Sequence, residues 1–222
     1  MNSKVILFVV LVALTGFIAC KKSGDQAPTT ITNEISLINA TGDTLNVYEN
    51  GTRVNSGSNL LPSGQYTDLQ IIAGTQRYQF KKAGNPNTLF ETELTLDTPF
   101  AYTVFVAGQS SDKVFAIKGS DTLKVTDTTA HIRYINASPD AGDISFTIST
   151  YPTVAGVTFK SATSFVSVPK GLVYYSMVRP DGSILASGNL TLSAGVSYNL
   201  FSKGLVAGKG TSALGARILT AQ

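Results

Sequence analysis

Two tandem antiparallel β-sandwiches are the fold this sequence predicts, and three observations carry the prediction. Threonine, serine, glycine and valine dominate the 222 residues, and only 14% of the side chains are charged. Short runs alternate apolar and polar residues with a period of two, and no long segment shows the 3.6-residue period of a helix face. One series of landmarks also appears twice in the same order, which is the signature of a duplicated unit.

Taken from the N-terminus, Met1 to Lys4 is a weakly positive start, Val5 to Leu14 is apolar, and Thr15-Gly16-Phe17-Ile18-Ala19-Cys20 reads as a cleavage region. These are the three parts of a secretory signal. The apolar run, about 15 residues, falls short of the ~20 that a helix needs to span a bilayer core. Cys20 is the only cysteine, so it has no disulfide partner within the chain. Ala19-Cys20 resembles a bacterial lipobox, with Phe17 departing from the leucine usual three residues before the cysteine. The resemblance implies removal of residues 1–19, lipid on Cys20 and membrane attachment through it; two or more acyl chains hold stably where one holds only marginally. Residues 20–30 are polar, contain Gly24 and Pro28, and read as a flexible tether. The Cys20-Lys21-Lys22 opening resembles lipoproteins of the Bacteroidetes. The expected location is the cell envelope, at the outer membrane, and with Asp25 the one acidic residue in the tether both the periplasmic and the surface face stay open.

After the tether the landmarks begin. Ile35-Ser-Leu-Ile-Asn39-Ala40 returns as Ile132-Arg-Tyr-Ile-Asn136-Ala137, and Ile71-Ile-Ala-Gly74 to Phe80 returns as Val168-Pro-Lys-Gly171 to Met177, both displaced by 97 residues. Glu91-Thr-Glu-Leu94-Thr-Leu96 with Tyr102 returns as Ser187-Gly-Asn-Leu190-Thr-Leu192 with Tyr198, displaced by 96. Residues 31–126 and 127–222 are therefore read as two copies of one domain. Within the first copy, Leu45 and Val47, Leu69 and Ile71, Tyr78 and Phe80, Leu94 and Leu96, and Tyr102 and Val104 mark strands with one buried face. Glu49-Asn50-Gly51 and Pro180-Asp181-Gly182 supply residues that tolerate the positive φ of tight turns. Six or seven strands per copy are expected. Tyr102 and Tyr198, each just past a Pro- or Gly-containing corner, are placed to return a hydroxyl to the backbone or to fill the core.

Tyr134-Ile135-Asn136-Ala137-Ser138-Pro139-Asp140-Ala141 is the most distinctive string. With Asp143-Ile-Ser-Phe146, Phe165-Val-Ser-Val-Pro169-Lys-Gly171 and Leu190-Thr-Leu192 before Tyr198, it resembles the repeats of DUF4397, a bacterial extracytoplasmic family of unknown function whose copies open with a His-Ala-Ser-Pro-Asp-Ala-like segment. Asn136 stands where that family usually has His, and the first copy keeps only Asn39-Ala-Thr-Gly-Asp43. The resemblance implies an immunoglobulin-like or transthyretin-like sandwich and transfers no activity.

Chemistry is sparse. The chain holds 17 basic and 14 acidic residues, too balanced for a nucleic-acid partner. His131 is the sole histidine, and alternation turns Ile132 and Tyr134 inward and His131 and Arg133 toward solvent. One histidine and one lipidated cysteine cannot supply the several ligands of a zinc site, and a histidine on the solvent face of a strand reads as a surface residue rather than a general base, so no cofactor, no metal and no catalytic residue is assigned. Asp140 and Asp143 are the closest carboxylate pair of interest, and Ser138-Pro139-Asp140 reads as a turn that caps nearby amides. Gly204 to Thr211 lacks full phosphate-loop spacing and reads as a flexible loop between the last two strands. Asp43-Thr44, Asp121-Thr122 and Asp127-Thr128 resemble the Asp-Thr acceptor of Bacteroidetes O-glycosylation, making Thr44, Thr122 and Thr128 candidates; each also reads as a turn entering a strand.

These readings make the chain a non-enzymatic envelope lipoprotein that presents two sandwiches for binding or scaffolding. The candidate recognition surface is Arg77, Tyr174, Lys203 and Lys209, with Arg77 and Tyr174 at matching positions of the two copies. A protein partner is favoured over a glycan, because the chain has no tryptophan platform. The alternatives are a carboxylate-dependent glycan hydrolase and a spacer with no ligand of its own.

Overall fold

The structure, a computed structural model, describes residues 30–119, 128–149 and 151–221, and Ile31–Gln222 is one compact unit. Its first half contains β1 (Thr32–Asn39), β2 (Leu45–Glu49), β3 (Thr52–Arg53), β4 (Gln65–Ile72), β5 (Gly74–Lys82), β6 (Thr88–Leu96), β7 (Tyr102–Val106) and β8 (Val114–Lys118). The second half contains β9 (Thr129–Ile135), β10 (Ile144–Ile148), β11 (Val154–Val157), β12 (Val166–Pro169), β13 (Gly171–Val178), β14 (Ile184–Leu192), β15 (Ser197–Lys203) and β16 (Gly215–Thr220). The fold is all-β, as expected, with eight strands per half where six or seven were predicted, the two-residue β3 among them.

The halves share one topology. Sheets of order β3-β2-β5-β6 and β4-β1-β7-β8 build the first sandwich, and β11-β10-β13-β14 and β12-β9-β15-β16 build the second. Most pairs are antiparallel. In each half, however, the first strand runs parallel to the seventh, with Ile35 opposite Tyr102 and Ile132 opposite Tyr198. Parallel neighbours need a long crossover, and here the chain crosses through the facing sheet before it returns. The tight turn after β2 has Asn50 at φ 49° and Gly51 at φ 86°, the positive pair its sequence announced.

Alternation fills each sandwich. The burial of β2 and β10 alternates residue by residue, and Ile35, Leu37, Val47, Tyr78, Phe80 and Val104 form the first core while Ile132, Tyr134, Phe146, Val173, Met177 and Leu200 form the second. Burying such side chains contributes about 1.5–3 kcal/mol each. β7 and β9 break the pattern: every residue of Tyr102–Val106 is buried, and so is every residue of β9 after Thr129. The explanation is a third core, built from Ile38, Phe105, Phe115, Ile135 and Phe201 with Ala40, Ala107 and Ala137. The outward faces of the β4-β1-β7-β8 and β12-β9-β15-β16 sheets thus pack on each other, and the molecule is four sheets deep. Phe105 stacks on Phe115 at 5.1 Å and meets Phe201 edge-on at 5.3 Å.

This layer overturns one expectation. His131 and Arg133 are buried, because the face that alternation assigned to solvent is covered by the other half. The Arg133 guanidinium donates to the Asn199 Oδ1 (2.7 Å) and the Lys118 carbonyl (2.9 Å) and lies 4.8 Å from the Phe165 ring centre, and burial lowers its pKa.

Candidate functional site

The signature strings of both copies converge at one end of the central layer. Asn39 and Asn136, the residues that close β1 and open the turn after β9, are fully buried. Asn136 donates to the carbonyls of Gly142 and Val157 (both 2.9 Å), while its Oδ1 accepts from the Ser138 amide (3.1 Å) and the Ser202 hydroxyl (2.9 Å). Asn39 donates to the carbonyls of Asp43 (2.7 Å) and Leu60 (3.2 Å) and accepts from the Thr41 amide and hydroxyl. Each asparagine therefore ties the turn that follows it to a backbone carbonyl 21 residues along the chain, and the repeated Asn-Ala landmark is a structural pin.

The pinned loops line a cleft of about 330 Å³ between the halves, bordered by Thr41, Asp43, Gln109, Lys113, Pro139 and Ser212 among others. Asp43 is held by Lys82 and by the Gln109 amide, both at 2.5 Å. Close backbone approach makes the junction: Gly204 donates to the Ala40 carbonyl (2.9 Å), Thr211 to the Gly42 carbonyl (2.9 Å) and Lys203 to Ser63 Oγ (2.8 Å). A side chain on Gly204, whose φ is 77°, would overlap the carbonyls of Ala213 and Ser212. The cleft offers hydroxyl, amide, carboxylate and ammonium groups, from Thr41 and Ser212, Gln109, Asp43 and Lys113.

The sequence-predicted residues fall in three places. Arg77 lies on the outer face of the β3-β2-β5-β6 sheet, where its guanidinium pairs with Glu91. That bond, with a second from Gln79, holds the Glu91 carboxyl below the usual carboxylate range. Tyr174 lies on the outer face of the β11-β10-β13-β14 sheet, at the far side of the stack. Lys203 is half-buried at the junction and Lys209 is exposed, just before the 3-10 turn Gly210–Ser212. The four do not form one surface.

Asp140 caps, as expected, but its target is distant: the carboxylate accepts from the Val206 amide at 3.0 and 3.1 Å, tying down the segment between β15 and β16. The sequence predicts a flexible loop there; the structure braces it through the Leu205 and Leu214 amides and a bridge from Leu205 to Ala213. Asp143 is exposed, and neither acid lines the cleft. Among the described residues no three His, Cys, Asp or Glu side chains gather as metal ligands, and no helix is long and apolar enough to cross a membrane. Tyr198 accepts from the Ser193 amide through its hydroxyl (3.1 Å), completing a corner of the expected kind. Thr44 is half-buried and Thr128 exposed. Cys20, Thr122, the signal segment and the tether up to residue 29 lie outside the described residues.

Two clusters escaped the sequence. Glu49 is buried, accepting from the Tyr78 hydroxyl (2.9 Å) and the Ile72 amide (3.0 Å), and so links the two sheets of the first sandwich. Burial, then the Glu49 charge, drive the Tyr78 pKa far up. Near Arg133, His131 Nδ1 and Asn199 Nδ2 are buried without a partner among the described residues.

Two fused sandwiches whose duplicated loops close one cleft define a class of paired all-β module. The chain belongs to the family described as Domain of unknown function (DUF4397), whose model matches residues 33–147 and again 130–220. A comparison with curated protein sequences returns no match. Among solved structures, the chain is similar to a family 41 carbohydrate-binding module of streptococcal virulence factors, described as recognising alpha-glucan, at 11% identity over 76% of this chain and 92% of that one, TM-score 0.26. It is also similar to the family 26 module CBMbc of Eubacterium rectale Amy13K, solved with maltoheptaose, at 11% identity over 86% and 98%, TM-score 0.26. Both superpose too loosely to define fold or ligand, and the fold stands on its strand pairing.

Proposed function

We propose that this chain is a lipid-anchored, non-enzymatic module of the bacterial cell envelope, in which two fused sandwiches present binding surfaces to another envelope protein. The observation that carries the reading is the central core: Ile38, Phe105, Ile135 and Phe201 make one body of the two copies, so the outermost sheets and junction loops are held at fixed separation. A rigid body is suited to recognition by preformed surface. Cys20 supplies the anchor in this reading, and the tether holds the module off the bilayer.

Two measurements test it. Intact mass of the membrane-purified chain is expected to start at Cys20 and to include at least two acyl chains, with Cys20→Ser leaving the membrane fraction. Crosslinked capture from solubilised envelope with the full chain is expected to enrich a protein over a control sandwich. Capture of nothing beyond the control overturns the binding role and leaves a spacer.

A further inference from the structure

The two copies differ in charge at the free edges of their outermost sheets. In the first sandwich the edge strand β6 carries Glu91 and Glu93 on its outward face, and inward or outward charge is a standard guard against stray strand pairing. In the second sandwich the equivalent positions are Ser187 and Asn189, and the whole of β14, Ile184-Leu-Ala-Ser-Gly-Asn-Leu-Thr-Leu192, contains no charged residue and no proline. The sheet face beside it is also uncharged. Leu172 is 73% exposed, Ile184 65% and Tyr174 47%, among Ser145, Thr147, Ser176 and Thr191. Nine residues of unguarded edge next to exposed apolar side chains are a template for an added strand.

The edge borders a charged groove. An open groove of about 470 Å³ runs between β14 and β16, lined by Gly188, Asn189 and Leu190 on one side, by Ala216, Arg217 and Ile218 on the other, and by Lys203 and Ser63 at its floor. It contains two cations and no carboxylate. Lys203 spends two of its three hydrogens on Ser63 Oγ and the Ala213 carbonyl, and Arg217, paired with Phe201 through its backbone, has no partner for its guanidinium among the described residues. Burial, and then the charge of Arg217, lower the Lys203 pKa. Gly188 sits at the middle of the edge, with the ring of its cross-strand partner Tyr175 packed over it.

We propose that β14 is a strand-addition site for an extended, acidic segment of a partner protein. The added strand pairs with the β14 backbone, sets alternate side chains beside the outward Ser187, Asn189 and Thr191, one strand from Tyr174 and Leu172, and turns the others into the groove, where carboxylates meet Arg217 and Lys203. This rests on the reading of the chain as a binding module and names the chemistry of the partner.

The test uses the full chain in detergent and a fluorescein-labelled decapeptide of alternating valine and glutamate. Saturable, salt-sensitive binding is expected by anisotropy. Affinity should fall at least tenfold when lysine replaces glutamate, when alternate peptide amides are N-methylated, and in the double variant Ser187→Glu/Asn189→Glu, which grafts the guard of the first copy onto exposed positions. Arg217→Ala should weaken the acidic peptide alone. Absence of binding, or equal binding by parent and double variant with unchanged far-UV circular dichroism, overturns the proposal. Self-association of the chain that the double variant abolishes would also overturn it, assigning the edge to a second copy. If the envelope capture succeeds equally with the double variant, the binding-module reading stands and the β14 site falls.

Discussion

Asn136 shows how much a single side chain carries in this protein. Its amide serves four partners spread over Gly142, Val157, Ser138 and Ser202, and losing it leaves several buried groups unpaired at about 1–3 kcal/mol each. Asn136→Ala is therefore expected to destabilise the chain by about 3 kcal/mol or more in urea unfolding. Asn136→Asp should be no better, because a carboxylate cannot donate to the two carbonyls; a wild-type midpoint for either variant would show that the loop is held otherwise. A milder case is Glu91. Its bonds from Arg77 and then Gln79 lower its pKa, so the pairing is complete above the ordinary carboxylate range and is lost as pH falls through the depressed value. Arg77→Ala is expected to raise the Glu91 titration midpoint followed by carboxyl NMR shifts. An unmoved midpoint would mean that the contact is absent in solution. In the sequence, Asn39 and Asn136 were legible as landmarks, yet their role was not, since Leu60 and Val157 lie 21 residues away from them.

At the scale of elements, glycines with positive φ separate turns that only need a conformation from loops that also need space. Gly51, at φ 86°, has open surroundings, and Gly51→Ala should cost about 1–2 kcal/mol of left-handed strain. Gly204, at φ 77°, bears the same strain and also lies against the Ala213 and Ser212 carbonyls. Gly204→Ala is expected to cost about 3 kcal/mol or more and to disturb amide shifts on both sides of the junction. Equal costs for the two substitutions would remove the close-approach argument. The strands themselves were largely readable, because a period of two needs only a covered face and an open one. What alternation hid was the covering of the second face. His131 and Arg133 looked solvated, although the run Tyr102–Val106, without a charge and with Thr103 its only non-aromatic polar residue, carried the signal of a strand buried on both sides. The β14 edge was hidden for a similar reason: Ser187 and Asn189 mean little until Glu91 and Glu93 are seen to occupy the same place in the other sandwich.

At the scale of the whole molecule, the central layer decides whether two copies behave as two domains or as one. Each sandwich has its own core, but Phe105, Phe115 and Phe201 close a third, and Gly204, Thr211 and Lys203 bond across it. Coupling of this kind makes the halves unfold together, so one calorimetric transition is expected for the intact chain. Phe105→Ala removes the ring that touches both Phe115 and Phe201, and a buried phenylalanine replaced by alanine costs about 3–5 kcal/mol. Because that loss falls on the interface, the single transition should broaden or split. Residues 31–126 produced alone provide the complementary measurement. They would expose Ile38, Phe105 and Phe115 as one apolar patch of the kind that drives self-association. Size-exclusion chromatography is expected to find that fragment associated or aggregated; a soluble monomer with native circular dichroism would mean that the sandwiches are independent and that the central layer merely joins them.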